Sequence, residues 1–179
     1  MPEPTGGSRA GAAAGPGGGV VNVVFAGLGG QGVIKASDIL ADAVFRAGLD
    51  VKKAEIHGMS QRGGSVTSDV RFGPEVLSPM IPEGQADFLV VLAPTQVENN
   101  LHVLRKSGVL FQPDLVPEAS LPNRRSLNVA LLGALAHHLS IPDEIWRASI
   151  RGALPERLHD VNFKAFEMGR AAARARAAA

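Results

Sequence analysis

Runs of apolar residues, separated by segments with helical spacing, predict an alternation of strands and helices along this chain. Two runs are nearly continuous and apolar, as buried parallel strands are, at residues 20–26 and 87–93. Shorter runs predict further strands at residues 49–56, 65–72 and 109–112. In residues 65–72 apolar and polar positions alternate, and this polar face predicts a strand at the edge of the sheet.

The segments between these runs carry apolar residues three or four positions apart, which predicts helices. The first runs from Gln31 to Ala47 and ends at Gly48, a residue type common just beyond a helix. The other helices are expected at residues 94–105, 128–139, 144–150 and 161–176. Alternating strands and helices predict a single Rossmann-like α/β domain with a mixed, mostly parallel sheet and flanking helices.

Composition narrows the possible partners. The 179 residues suit one domain, and 18 Lys and Arg against 17 Asp and Glu leave a net charge of +1, which gives no electrostatic basis for binding nucleic acid. No apolar run approaches the ~18–20 residues that cross a bilayer, so no membrane association is expected. Residues 1–19, rich in Gly, Ala and Pro, are expected to be a disordered leader rather than a signal peptide. The cytoplasm is the expected location.

The chain has no cysteine. It therefore cannot form a disulfide, use a thiolate nucleophile, or hold an iron–sulfur or zinc–thiolate site by itself. The sequence shows no other metal-binding motif, so no metal site is predicted in this chain.

The first predicted strand is followed by a glycine-rich turn, Gly27-Leu-Gly-Gly-Gln-Gly32. Its candidate cofactor-binding residues are Gly27, Gly29, Gly30, Gln31 and Gly32. The pattern G-x-G-x-x-G before a helix is found at dinucleotide sites, where the helix N-terminus meets an anion. Glu55, however, lies 28 positions after Gly27, against the usual ~20 for a ribose-binding acid. Two alternatives are a turn that packs tightly under a neighbouring domain and one that touches the phosphate of a cofactor held elsewhere.

A second glycine-rich segment, Glu55-Ile-His-Gly-Met-Ser-Gln-Arg-Gly-Gly-Ser65, brings several hydrogen-bonding groups together. His57 and Arg62 are the candidate catalytic residues: a proton donor or shuttle near neutral pH, and a clamp for a carboxylate or phosphate. The alternatives are a turn histidine bonded to backbone and an arginine paired with Glu55 or a partner. The other residues expected at an interface or active-site loop are Glu55, Gly58, Met59, Ser60, Gln61, Gly63, Gly64 and Ser65.

In combination these motifs resemble the gamma-type domain of 2-oxoacid:ferredoxin oxidoreductases, over residues 21–169. Within that family the loop sequence His-Gly-Met-Ser-Gln-Arg-Gly-Gly is most similar to that of the beta, or small, subunits of the indolepyruvate branch. The later matching features follow in order: Ser78-Pro-x-Ile-Pro82, residues 87–92, Asn128-x-x-Leu-Leu-Gly-Ala134 and Asn162-x-x-Ala-Phe166.

The resemblance implies that residues 20–179 form the gamma-type domain of a subunit that is inactive alone. A large partner subunit would carry thiamine diphosphate, Mg²⁺ and [4Fe–4S] clusters, with coenzyme A as co-substrate. The complex would oxidatively decarboxylate an arylpyruvate or indolepyruvate-type 2-oxoacid to an acyl-CoA and pass the electrons to ferredoxin. From the residues alone, a free-standing NAD-dependent dehydrogenase and a purely structural scaffold subunit stay open. Tight NADH binding by the isolated chain would favour the first.

Overall fold

The computed structural model describes residues 19–58 and 63–179, and within them five strands form one sheet. The strands are β1 (Val21–Leu28), β2 (Asp50–His57), β3 (Ser65–Gly73), β4 (Ala86–Val91) and β5 (Leu104–Phe111). Their order is β2-β3-β1-β4-β5. β1 pairs in parallel with β4, and β4 with β5, whereas β3 is antiparallel to both β1 and β2. Four strands therefore share one direction, and the predicted mixed, mostly parallel sheet is confirmed.

The helices are α1 (Val33–Arg46), α2 (Val97–Asn100), α3 (Leu127–Ala136), α4 (Asp143–Ala153) and α5 (His159–Ala177). α1 buries one apolar stripe, including Ile39, Leu40 and Val44, against the sheet. It ends where Gly48 adopts a φ of +85°, a conformation that side chains disfavour. No helix among the described residues is long and apolar enough to cross a membrane.

The two faces of the sheet are covered differently. One face packs against α1 and α3, and α4 packs in turn on α1. This side contains the larger core, with Phe25, Leu131 and Trp146 fully buried. The other face is covered by short segments, among them α2, that place apolar side chains over β1 and β4, namely Ile81, Val97 and Val103.

α3 and α5 cross at very short range because a glycine stands on each side of the crossing. A Cβ atom on Gly133 would lie 2.0 Å from the Phe166 carbonyl oxygen. A Cβ atom on Gly169 would lie 1.7 Å from the Ala130 carbonyl oxygen. Both distances are far inside van der Waals contact, so this crossing exists only with glycine at these positions.

The prediction that residues 65–72 form an edge strand is wrong, because β3 lies between β2 and β1. Its polar residues do not face solvent at an edge. Arg71 donates hydrogen bonds to the carbonyl oxygens of Ser78 (3.0 Å) and Met80 (2.9 Å), and Asp69 accepts one from the Ile81 amide (3.3 Å). The polar positions hold the covering segment onto the sheet, and β2 and β5 are the edges.

The predicted helix at residues 94–105 is also wrong in its extent. Short 3₁₀ turns flank the four-residue α2, and β5 already begins at Leu104. The segment pairs with β4 through a register shift, Ala86 with Leu104 and then Phe88 with Val109. Tertiary pairing with a buried strand therefore overrides the helical spacing of the local sequence. The other predicted elements are present, with ends displaced by a few residues.

Candidate functional site

The two glycine-rich segments, about thirty residues apart in sequence, meet at the carboxyl ends of β1 and β4. The Gly29 amide donates a hydrogen bond to the Gly64 carbonyl oxygen (2.9 Å). A Cβ atom on Gly29 would lie 3.4 Å from the Gly63 backbone nitrogen, and Gly63 itself has a φ of +65°. The two glycine-rich segments therefore lie in direct contact and form one continuous surface.

The base of the second segment is held by the β2–β3 hairpin. His57 pairs with Val66 across the two strands, and the Gly58 amide donates to the Ser65 carbonyl oxygen at 2.7 Å. The Ser65 hydroxyl donates to Gln96 Oε1 at 2.9 Å, which ties the hairpin to the turn before α2. Four predicted site residues lie outside the described residues: Met59, Ser60, Gln61 and Arg62.

Gln31 locks the glycine turn from within. Its side-chain oxygen accepts a hydrogen bond from the Leu28 amide at 2.8 Å, and its side-chain nitrogen reaches the Leu92 carbonyl oxygen at 3.5 Å. Gly30 and Gly32 have φ values of +88° and +84°. Gly27 needs the absence of a side chain for a different reason, since its Cβ would lie 2.8 Å from Val33 Cγ2. Gln31 therefore braces β1 against β4 in this turn.

Two features of the fold argue against a dinucleotide site: the strand order and the contacts of the nearby acidic residues. In dinucleotide folds the ribose-binding acid follows the strand next to the glycine-turn strand, whereas here β3 separates β2 from β1. Glu55 and the other acid of β2, Asp50, are also engaged in contacts of their own. Asp50 accepts from the Val76 amide at 2.8 Å, and Glu55 binds Lys53.

On one side of the turn lies an open cleft of about 390 Å³, called here the basic cleft, formed by Lys35, Arg124 and Arg125 beside residues 30–32. It opens at the N-terminus of α1, whose first turn has no acidic residue and no side-chain cap. Glu118 is its one acidic lining residue in the described chain and pairs with Arg124 at 3.2 Å. The cleft therefore favours an anionic ligand.

Asn128 joins the basic cleft to the turn. It is 7% exposed, and its side-chain nitrogen donates to the Gly32 carbonyl oxygen at 3.2 Å. A Cβ atom on Gly32 would lie 2.4 Å from that same nitrogen. None of the three residues Asn128, Lys35 and Arg125 was predicted as a site residue, although Asn128 begins the motif Asn128-x-x-Leu-Leu-Gly-Ala134.

On the other side of the turn lies a cleft of about 440 Å³, called here the His57 cleft, lined by Gly29, Lys35, Asp38, His57 and Val66 among others. The His57 imidazole is 61% exposed, and its Nε2 lies 3.5 Å from Glu55 Oε2. Among the described residues its polar contact is therefore this carboxylate and not a backbone group. The structure thus brings together Glu55, His57, the glycine turn and the hairpin base.

Charges are balanced next to this histidine. Lys53 Nζ lies 2.6 Å from Asp38 Oδ1 and 2.5 Å from Glu55 Oε1. Burial works to lower the pKa of Lys53, but the hydrogen bonds to the two carboxylates outweigh it and leave that pKa raised. The hydrogen bond from Lys53 in turn lowers the pKa of Glu55. Glu55 is therefore an anion at neutral pH.

Comparison with known proteins gives consistent results. The pattern of the family described as pyruvate ferredoxin/flavodoxin oxidoreductase matches residues 22–122. The chain is 33% identical, over 193 aligned positions, to the indolepyruvate oxidoreductase subunit IorB of Thermococcus kodakarensis, an alignment that covers 86% of this chain and 96% of that one.

Two solved structures share the fold. The gamma subunit of a keto/oxoacid ferredoxin oxidoreductase from Geobacter sulfurreducens superposes with a TM-score of 0.71 at 24% identity, covering 88% of this chain and 98% of that one. A 2-oxoglutarate:ferredoxin oxidoreductase from Magnetococcus marinus, with 2-oxoglutarate, coenzyme A and succinyl-CoA bound, gives a TM-score of 0.72 at 23% identity. The superposition covers 88% of this chain but only 31% of the Magnetococcus marinus chain.

Proposed function

The chain belongs to the pyruvate ferredoxin/flavodoxin oxidoreductase family, and on that premise we propose that it acts on an aryl 2-oxoacid of the indolepyruvate type. It is a small subunit of that family, with residues 20–179 as its gamma-type domain. The observation that carries the substrate assignment is the 33% identity across 96% of an indolepyruvate oxidoreductase subunit. The complex would convert the 2-oxoacid to an acyl-CoA and pass electrons to ferredoxin in the cytoplasm.

The redox and decarboxylation chemistry is proposed to lie in a larger partner subunit. The chain has no cysteine for an iron–sulfur cluster. Among the described residues, no group of three or more His, Asp or Glu side chains is placed to hold a metal ion. Thiamine diphosphate with Mg²⁺ supplies the decarboxylation chemistry and [4Fe–4S] clusters the electron path, both on the partner.

The contribution of this chain is then to bind and orient substrates at the subunit interface. The described parts of the second glycine-rich segment, residues 55–58 and 63–65, lie beside the glycine turn that separates the basic cleft from the His57 cleft. We propose that this segment faces the partner's thiamine site. We place Arg62 at the carboxylate of the oxoacid or a phosphate of coenzyme A, and His57 where it donates or accepts a proton of the bound substrate. These two side chains are the proposed catalytic residues, since both would touch substrate.

Reconstitution tests this function directly. The chain would be purified with its native partner, and the complex assayed for iron, thiamine and coenzyme A-dependent reduction of ferredoxin. Indolepyruvate should give a kcat/KM well above that of 2-oxoglutarate or pyruvate. Preference for 2-oxoglutarate would refute the substrate class, and turnover by the chain without a partner would refute the subunit role.

Loss of cations from the basic cleft should weaken binding of coenzyme A selectively. In a Lys35→Ala/Arg125→Ala double variant we expect the KM for coenzyme A to rise about five- to tenfold with kcat nearly unchanged, because two exposed charge-assisted contacts to phosphate are lost. Added salt should raise the wild-type KM toward that of the variant, since exposed charges are screened. Steady-state kinetics at several KCl concentrations measure both effects.

Lys106→Ala is the matched control, because Lys106 is also exposed and cationic but lies on the edge strand β5. An equal rise in KM for this control, or no rise in the double variant, would show that coenzyme A does not bind in the basic cleft. Tight NADH binding by the chain, abolished in the double variant, would instead support a dehydrogenase.

A further inference from the structure

Three polar side chains stand at alternate positions of β2 and therefore project from the same face of the sheet: Lys53, Glu55 and His57. Their cross-strand partners on β3 carry no charge and are Val70, Ser68 and Val66. The charges that face this row from the other described elements come from α1, which presents Lys35 and Asp38 at the His57 cleft. The charged groups that act on this row from other described elements are therefore these two residues of α1.

Contacts connect the members of this row from the middle of β2 to the His57 cleft at its end. The Lys53 ammonium bridges Asp38 of α1 (2.6 Å) and one oxygen of Glu55 (2.5 Å). The other oxygen of Glu55 faces His57 Nε2 at 3.5 Å. Lys53 is the least exposed member, at 18% against 61% for His57. Its position is therefore fixed by packing, whereas the imidazole depends on Glu55 for its orientation.

We infer that Lys53 is a positioning residue for His57, acting through Glu55: it anchors the carboxylate to α1 and offsets its charge next to the imidazole. The inference rests on the proposed function, since it gives His57 a role in turnover. A carboxylate alone favours the protonated imidazole, and a neighbouring cation opposes that effect. Lys53 and Glu55 thus act on the charge state of His57 in opposite directions.

Opposite shifts in the pH profile of the assembled enzyme follow. In Lys53→Met, the limb of the kcat profile that reports His57 should move to higher pH by about 0.3–0.7 units, the size typical of half-exposed charge pairs. In Glu55→Gln it should move to lower pH by a similar amount. At pH 7 the kcat of Lys53→Met should fall about three- to tenfold with KM unchanged, because the imidazole is no longer held. Kinetics over pH 5–9, with the subunit ratio checked by mass spectrometry, supply these values.

Two further variants separate positioning from a general effect of charge or stability. Lys53→Arg keeps the cation and can bridge both carboxylates, so it should restore the wild-type profile. Lys52→Met removes a cation one position away on the opposite face of β2, where Lys52 lies 3.5 Å from Asp50, and should leave the profile unchanged. Equal shifts in Lys52→Met and Lys53→Met would overturn the inference, as would an unchanged profile in an assembled Lys53→Met enzyme.

His57→Gln distinguishes failure of this inference from failure of the proposed function. If His57→Gln keeps full turnover in the assembled complex, the proposed role of His57 is wrong and the inference is overturned with it. If His57→Gln lowers kcat while Lys53→Met and Glu55→Gln leave the pH profile in place, the proposed role stands and the inference alone is wrong. Opposite shifts together with loss of turnover in His57→Gln support both.

Discussion

Replacing Gly169 with alanine should destabilise the protein by about 3 kcal/mol or more, a large share of the ~5–15 kcal/mol that holds a typical domain together. The new methyl group would lie 1.7 Å from the carbonyl oxygen and 2.6 Å from the carbonyl carbon of Ala130. Both are backbone atoms of α3, so no rotamer change can relieve the overlap. The two helices must separate, which opens the core that they share. Urea unfolding of the purified chain measures the loss.

Gly152→Ala is the matched control for that experiment. Gly152 lies in the last turn of α4, and a Cβ atom there would have no atom within 4 Å. Alanine should stabilise this helix by up to about 1 kcal/mol through propensity alone. Because the same propensity gain applies at Gly169, the difference between the two variants isolates the steric cost of the crossing. Two variants of equal stability would show that α3 and α5 can move apart freely.

Arg62→Ala should lower kcat/KM of the assembled enzyme about tenfold to a hundredfold. The expectation rests on the two ends of the loop, which are anchored at Gly58 and Ser65 beside the glycine turn, and on the chemistry of guanidinium. A hydrogen bond to a charged group contributes about 1.5–3 kcal/mol, and its loss with an anionic substrate accounts for a change of this size. Steady-state kinetics with 2-oxoacid and coenzyme A varied in turn identify which anion Arg62 meets.

Lys at position 62 retains the charge but not the bidentate fork, so Arg62→Lys should recover part of the activity. Arg157→Ala is the control, since Arg157 is an exposed arginine of the turn before α5, and it should change nothing measurable. If activity falls only in proportion to the amount of complex formed, the loop is a docking surface and Arg62 has no role in turnover.

Local sequence was sufficient to predict most elements of this fold. The β-branched run of β1 and the apolar run of β4 are continuous because both strands are buried on both faces. Such runs are hard to assign to any element other than a buried strand. The place of β3 could not be predicted, because strand order is decided by pairing between distant segments. Its polar positions were misinterpreted for the same reason, since Arg71 and Asp69 hold a covering segment that is far from obvious in the sequence.

The residues of the candidate site were likewise only partly predictable from the sequence. Glu55 and His57 were predicted because their residue types are dense in one short loop. Lys53 gave no such signal, although its spacing of two residues from Glu55 would have placed both on one face of a strand. The basic cleft could be identified only from the fold, because Lys35 lies in α1 and Arg125 in the irregular stretch before α3. Only tertiary structure brings such cations together.

The reversed direction of β3 has a consequence for how such a protein can diversify. Because β2 and β3 form a hairpin, the loop between them emerges at the same end of the sheet as the carboxyl ends of β1 and β4. A hairpin tip can gain, lose or exchange residues while the ladder beneath it stays in register, whereas a helical crossover at that place would couple every insertion to the packing of a helix. Residues of this loop can therefore change almost independently of the scaffold, so that one architecture can present different loop sequences at the carboxyl ends of its strands.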